Sequence, residues 1–214
     1  MALGLGMSDI MQRIIVADIF GRTKALEQIA DMISGDVQIF SPYQPHYLDF
    51  KGEADAYAFF SAEVGLDTYA HQLAEKIKTL TGPVDLLGFS IGASAIWKIS
   101  DHSELSNVCG ATGFYGSQIR HCNNVNPLFP VQLIFPITEQ HFSVPELITV
   151  LDKKNNVQIH QSAFYHGFMN THSQNFDQGA YSEFMQILSN VPLNEPIHRA
   201  TFVDEVIAFP PRSQ

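Results

Sequence analysis

A serine stands between two glycines in Gly88-Phe89-Ser90-Ile91-Gly92. The apolar run Val84-Asp85-Leu86-Leu87 leads into it, and Ala93-Ser94-Ala95-Ile96-Trp97 continues from it with small residues at helix-like spacing. A glycine-flanked serine at a change from strand period to helix period has the layout of a nucleophile elbow. The turn is so tight that side chains two residues to either side of the serine would collide, and glycine at both places avoids this. The hydroxyl is lifted clear of the strand ends. The next helix N-terminus lies beneath it and favours developing negative charge. The chemistry implied is attack on a carbonyl through a covalent intermediate.

Such a serine needs a base within reach and an acid that orients the base. For an elbow serine, the acid follows a later strand and the histidine follows the next one. Glu139 and Glu146 both come after the strand-like run Val131-Gln132-Leu133-Ile134-Phe135, which Pro136 closes. Glu146 directly follows Pro145 in the first turn of a helix, where the helix dipole accounts for it without catalysis. Glu139 lies in the strand-end loop and is the stronger candidate acid.

Among the nine histidines, His166 is the best base. It lies in Phe164-Tyr165-His166-Gly167-Phe168, directly after the last strand, where Gly167 permits a tight backbone and the aromatics shield the imidazole. His141 shares the loop of Glu139, His160 lies inside a strand, and His172 lies in a polar loop. No histidine pair has the helical spacing of a zinc-peptidase motif, and neither cysteine has a paired partner. No metal is therefore expected, and the chemistry needs no cofactor.

The elements that must position these residues alternate between strand and helix. Arg13 to Ile19 is a continuous apolar strand of the kind buried on both faces. Thr23 caps a helix with Leu26, Ile29, Ala30 and Ile33 on one stripe, ended near Gly35. Val37 to Phe40 is the next strand, followed by a loop over residues 41–52 and a helical region that breaks at Gly65. After the elbow come a strand from Asn107 to Thr112, the strand at 131–135, a short helix from Pro145 to Leu151 and a strand from Val157 to Ala163. Helical patterns near Ala180 to Leu188 and Pro196 to Ala208 close the chain. This order predicts an α/β fold with a mostly parallel central sheet and helices on both faces. Sites in such sheets form at the carboxyl ends of the strands, where Ser90, Glu139 and His166 all fall.

Length and composition fit one domain over residues 1–214, with 1–11 read as an extension and Met7 as an alternative start. A hydrophobic fraction of 45% and a charged fraction of 16% are globular values. The net charge of −10 argues against nucleic acid or an anionic membrane as partner, since both demand a basic surface. Two cysteines are too few for a disulfide framework, and Cys109 reads as a buried thiol. No segment reads as a membrane span or a secretory signal, which makes the cytoplasm the default location. Oligomeric state is left open.

These pieces together resemble the dienelactone hydrolase family of α/β-hydrolases over nearly the whole chain. The resemblance rests on Ala17-Asp18-Ile19-Phe20-Gly21, the elbow, Gly113-Phe114-Tyr115-Gly116 and His166-Gly167-Phe168, with Leu133 to Pro145 similar to the family's acid loop. It implies Ser90 as nucleophile, His166 as base and Glu139 as acid, where the family usually has aspartate. It also implies the backbone N–H groups of Ile19 and Ile91 as the oxyanion hole. Asp18 falls on an acidic residue that touches the resting nucleophile. The alternative for Asp18 is structural, as acceptor for the turn at Gly21 to Thr23. Phe20, Phe89, Tyr115 and Phe168 are either pocket walls or core.

Three departures qualify the match. The acid is one methylene longer. Phe135-Pro136 replaces the usual His-Gly start of its loop. Asn170 stands where the founding enzymes carry an arginine that grips the dienelactone carboxylate. The short N-terminus also implies that one or both leading antiparallel strands are missing. The expected activity is hydrolysis of a small-molecule carboxylic ester or lactone through an acyl-enzyme on Ser90. Acyl transfer or thioester cleavage on the same residues, and a non-catalytic binding protein on the same scaffold, are the alternatives.

Overall fold

A computed structural model describes residues 11–43 and 47–200. Six strands form one sheet: β1 (Gln12–Val16), β2 (Asp36–Phe40), β3 (Val84–Phe89), β4 (Val108–Phe114), β5 (Val131–Phe135) and β6 (Val157–Gln161). Their order is β2-β1-β3-β4-β5-β6, and every neighbouring pair is parallel. Among the described residues every strand of the sheet runs parallel to its neighbours.

The helices are α1 (Lys24–Met32), α2 (Glu53–Glu63), α3 (Gly65–Lys78), α4 (Ile91–Ile99), α5 (Val144–Leu151) and α6 (Gln178–Ser189). Alternate strand residues feed two cores. Ile14, Val16 and Leu86 pack with Leu73 and Ile77 of α3, Ile96 of α4 and Leu151 of α5. Ile15, Leu87 and Phe89 pack with Leu26 and Ile29 of α1 and with Phe184 and Leu188 of α6. Strands buried on both faces are mostly apolar, which is why β1, β3 and β5 read as near-continuous runs despite polar residues such as Arg13, Asp85 and Gln132. No helix among the described residues is long and apolar enough to cross a membrane.

The caps follow the sequence. Thr23 accepts from the Leu26 N–H at the start of α1, and Ser143 accepts from the Glu146 N–H at the start of α5. Opposite the site, buried Arg13 and Asp85 meet at 3.4 Å, and the Ile197 N–H donates to Asp85 at 2.9 Å. The same guanidinium donates to the carbonyls of Pro192 and Glu195 at 2.8 and 2.7 Å. This cluster fixes the segment after α6 under the sheet.

Several expectations shift. β1 stops at Val16, because a turn closed by the Gly21 N–H on the Asp18 carbonyl begins directly after it. β6 ends at Gln161 rather than Ala163. The helix expected from Pro196 to Ala208 is a 3-10 turn over Ile197–Arg199 as far as the described residues go, and the rest lies outside them, as do Met7 and nearly all of the 1–11 extension. Cys109 is exposed, not buried. The β3–β4 register jumps from Val84↔Val108 to Asp85↔Gly110, so Cys109 is the extra residue of a bulge and its side chain leaves the core.

Candidate active site

β3 enters the elbow fully buried, and α4 leaves it at once. Ser90 sits between them at φ 50° and ψ −111°, a strained conformation for a residue with a Cβ. Its N–H donates to the Phe114 carbonyl at 2.9 Å, which ties the turn to the end of β4. The flanking glycines are required by contact. A Cβ on Gly92 would lie 2.2 Å from the Val16 carbonyl oxygen, and one on Gly88 would lie 2.7 Å from the Ala93 nitrogen. α4 can therefore run close across β1 and β3 and present its N-terminus under the serine.

The sequence-predicted residues converge. His166 Nε2 lies 3.0 Å from Ser90 Oγ, and His166 Nδ1 lies 2.7 Å from Glu139 Oε1. The Glu139 carboxylate is nearly buried, with 12% of its side chain exposed, and His166 is more open at 28%. The two loops that carry this pair are tied to each other. The Ile137 N–H donates to the Phe164 carbonyl at 2.8 Å, and the Gln161 amide donates to the Ile137 carbonyl at 3.1 Å. Gly167, at φ 85°, turns the chain directly after His166, and the Asn175 amide donates to the His166 carbonyl at 2.9 Å. Glu146 is exposed on α5, away from the histidine, as its helix-start position suggested.

Ile19 and Ile91 line the same cleft as Ser90. Among the described residues neither backbone N–H meets an internal acceptor, so both remain free to donate. The Tyr43 hydroxyl donates to the Ile19 carbonyl at 2.7 Å and steadies that loop. The Tyr69 hydroxyl lies 3.1 and 3.0 Å from the carbonyl oxygens of Ala17 and Phe40, which anchors the loop's start.

Asp18 is part-buried at the cleft floor. One carboxylate oxygen accepts from the Phe20 N–H at 2.9 Å and the other from the Asn170 amide at 2.6 Å. The donors are thus Phe20 and Asn170, not the Gly21 to Thr23 turn and not Ser90, whose hydroxyl faces His166. Loss of hydration raises the Asp18 carboxyl from 3.8 to about 6, against the opposing pull of those two hydrogen bonds.

The aromatic candidates divide. Phe20 and Tyr115 line the cleft, and the Tyr115 ring lies 4.9 Å from the His166 ring. Phe89 and Phe168 instead pack in the α1/α6 core, stacked among Phe114 and Phe184. His141 is exposed at the cleft edge, His172 stacks on Phe20 at 5.2 Å, and His160 belongs to β6. The cleft measures about 720 Å³. Sequence reasoning missed the part of its lining formed by Glu53 and Tyr57 of α2 and by Gln118, while Asn170, at the position of the family's arginine, lines the cleft as well.

No family model matches the chain. It is 34% identical over 143 residues to YczH of Bacillus subtilis (strain 168), an uncharacterized protein, covering 65% of this chain and 69% of that one. Its fold is similar to the dienelactone hydrolase-like promiscuous phosphotriesterase P91 from metagenomic libraries, with a TM-score of 0.57, 9% identity and 84% of each chain covered. It is also similar to dienelactone hydrolase from Anabaena variabilis, with a TM-score of 0.55, 12% identity, and 86% and 85% covered. Mouse alpha/beta hydrolase domain-containing protein 10 gives 0.56 at 11% identity, with 82% and 86% covered. The fold is that of the α/β-hydrolases.

Proposed function

We propose that this chain, which belongs to the same family as Bacillus subtilis YczH and has an α/β-hydrolase fold, is a serine hydrolase of small carboxylic esters or lactones. The observation that carries the reading is the continuous chain Ser90–His166–Glu139 at 3.0 and 2.7 Å, on an elbow whose strain holds the serine at the cleft.

Glu139 accepts the Nδ1 proton and so fixes the imidazole with Nε2 facing Ser90. His166 Nε2 takes the Ser90 proton as Oγ bonds to the carbonyl carbon. The carbonyl oxygen becomes an oxyanion and takes hydrogen bonds from the Ile19 and Ile91 N–H groups, each worth about 3 kcal/mol. The tetrahedral species collapses, and His166 gives its proton to the departing alcohol. Water then attacks the acyl-Ser90 ester with His166 as base, and the acid leaves with Ser90 restored.

The longer acid and the Phe135-Pro136 start of its loop are the features that favour a non-catalytic scaffold. Glu139 nevertheless reaches His166 at full hydrogen-bond distance, which favours the enzyme reading. The test is labelling by a fluorophosphonate probe, with the modified residue mapped, beside a series of p-nitrophenyl esters of increasing chain length. Labelling at Ser90 with Ser90-dependent turnover is expected. Folded protein that neither labels nor turns over any ester of the series overturns the proposal. Turnover that rises when an alcohol or thiol acceptor is added would redirect it to acyl transfer.

A further inference from the structure

The charge and the aromatics of the cleft narrow its substrate. Among the described residues the cleft is lined by three carboxylates, Asp18, Glu53 and Glu139, and by no lysine or arginine. Two of the three are committed, Asp18 to Phe20 and Asn170, and Glu139 to His166. Glu53 is not. Among the described residues it has no ion-pair partner, although Arg22, Lys78 and Lys98 each pair elsewhere. A Cβ on Gly167 would lie 3.9 Å from Glu53 Oε1, so this free carboxylate stands beside the histidine loop.

Tyr57 follows Glu53 by one helical turn on α2, so both side chains share the face that borders the cleft. Tyr165, next to His166, lines the same cleft. Tyr57 is 51% exposed and Tyr165 is 50% exposed, and neither ring has a stacking partner among the described residues. Two open phenol rings and an uncommitted carboxylate match a positively charged amine, which is held by the faces of aromatic rings and by a countercharge. A carboxylate-bearing substrate would meet like charge at Glu53 and Asp18 and, among the described residues, no lysine or arginine to offset it.

We propose, resting on the hydrolase reading, that the cleft selects esters carrying a protonated or quaternary amine, and that Glu53 is a specificity-determining residue. Tyr57 and Tyr165 flank the amine, and Glu53 supplies its countercharge. The reaction itself is unchanged: the ester bond breaks on Ser90, and water returns the acid.

The experiment uses p-nitrophenyl esters with acyl chains of equal length that end in trimethylammonium, methyl or carboxylate. A thiocholine ester places the cation on the leaving side. The expected order of kcat/KM is cation, then neutral, then anion. The cation-to-anion ratio should shrink as salt is added. Glu53→Gln should cut that ratio about threefold or more, consistent with one partly exposed charge contact. Preference for the acyl-side or the thiocholine-side cation then tells which half of the ester carries the amine. Ser90-dependent turnover with a flat or reversed charge order overturns this inference and leaves the hydrolase reading standing. No turnover of any of these esters, without fluorophosphonate labelling of Ser90, overturns both.

Discussion

The Asn170 side-chain amide donates to Asp18 Oδ2 at 2.6 Å and joins the histidine loop to the loop that carries the Ile19 N–H. Two segments 152 residues apart in sequence are thereby set in one geometry at the floor of the cleft. The contact also favours the ionised form of an acid that its surroundings would keep neutral, since loss of hydration moves Asp18 from 3.8 to about 6.

The pH consequences have a definite sign. Asp18 binds its proton more tightly in the folded chain than in the unfolded one. Its contribution to stability is therefore complete below about pH 4 and is lost as the pH rises towards about 6. Asp18→Asn removes this dependence. The difference in Tm, variant minus wild type, should grow between pH 4.5 and pH 8 in thermal unfolding scans. The same substitution should retain some activity and flatten the acid limb of the pH–rate profile. Asn170→Ala removes a hydrogen bond from the carboxylate and should move that limb upward by as much as about one pH unit. Superimposable profiles for all three proteins would leave Asp18 with a structural role only.

Chain order made the main candidates legible. Ser90 and Glu139 each follow a strand that reads clearly from its own apolar run, His166 follows a strand that reads from alternating polar and apolar positions, and parallel strands deliver their carboxyl ends to one edge. The part of the cleft lining that comes from α2 was not legible. Glu53 and Tyr57 lie on α2, where Tyr57 and Phe59 are exposed while Phe60 is buried, so no apolar stripe announces which way the helix faces. Tyr43 and Asn170 act through contacts with distant loops, and local spacing carries no trace of those. Cys109 was misread for a related reason: the bulge that expels it is a property of the β3–β4 register, not of its apolar neighbours.

Ser90 is held at a positive φ whatever its side chain does. Ser90→Ala keeps the strained turn and loses the hydroxyl, so it should fold with an unchanged circular dichroism spectrum and show no esterase activity. Ser90→Gly also removes the chemistry but relaxes the turn, because glycine adopts positive φ without the penalty of a Cβ. It should unfold at a Tm no lower than that of the alanine variant. A glycine variant clearly less stable than the alanine one would contradict the strain assigned to the elbow.

Gly92 separates packing from chemistry. A Cβ there meets the Val16 carbonyl oxygen at 2.2 Å and that of Ala17 at 2.7 Å, both backbone atoms at the end of β1 that cannot rotate aside. Alanine normally favours a helix, yet Gly92→Ala should destabilise the fold by about 2 kcal/mol or more, because α4 must lift off β1. Urea unfolding measures this directly. A variant as stable as wild type would mean that α4 and β1 are not packed as closely as described.

Glu139 reaches His166 with the length of a glutamate, and the acid loop is placed for that length. Its backbone is pinned at Ile137 by the Phe164 carbonyl and the Gln161 side chain, so it has little freedom to advance. Glu139→Gln keeps the length but loses the charge that stabilises the imidazolium, and kcat should fall about 10- to 10⁴-fold. Glu139→Asp keeps the charge but draws the carboxylate back by one methylene, which opens the 2.7 Å contact beyond direct hydrogen-bond reach. It should therefore also lose activity, although aspartate is the usual acid of the family that the sequence resembles. Glu146→Gln, on the exposed start of α5, should turn over the same ester at the wild-type rate. Rates for the three variants with one p-nitrophenyl ester decide the matter. Full activity in the glutamine variant would remove Glu139 from the mechanism, and full activity in the aspartate variant would show that the loop moves to follow its acid.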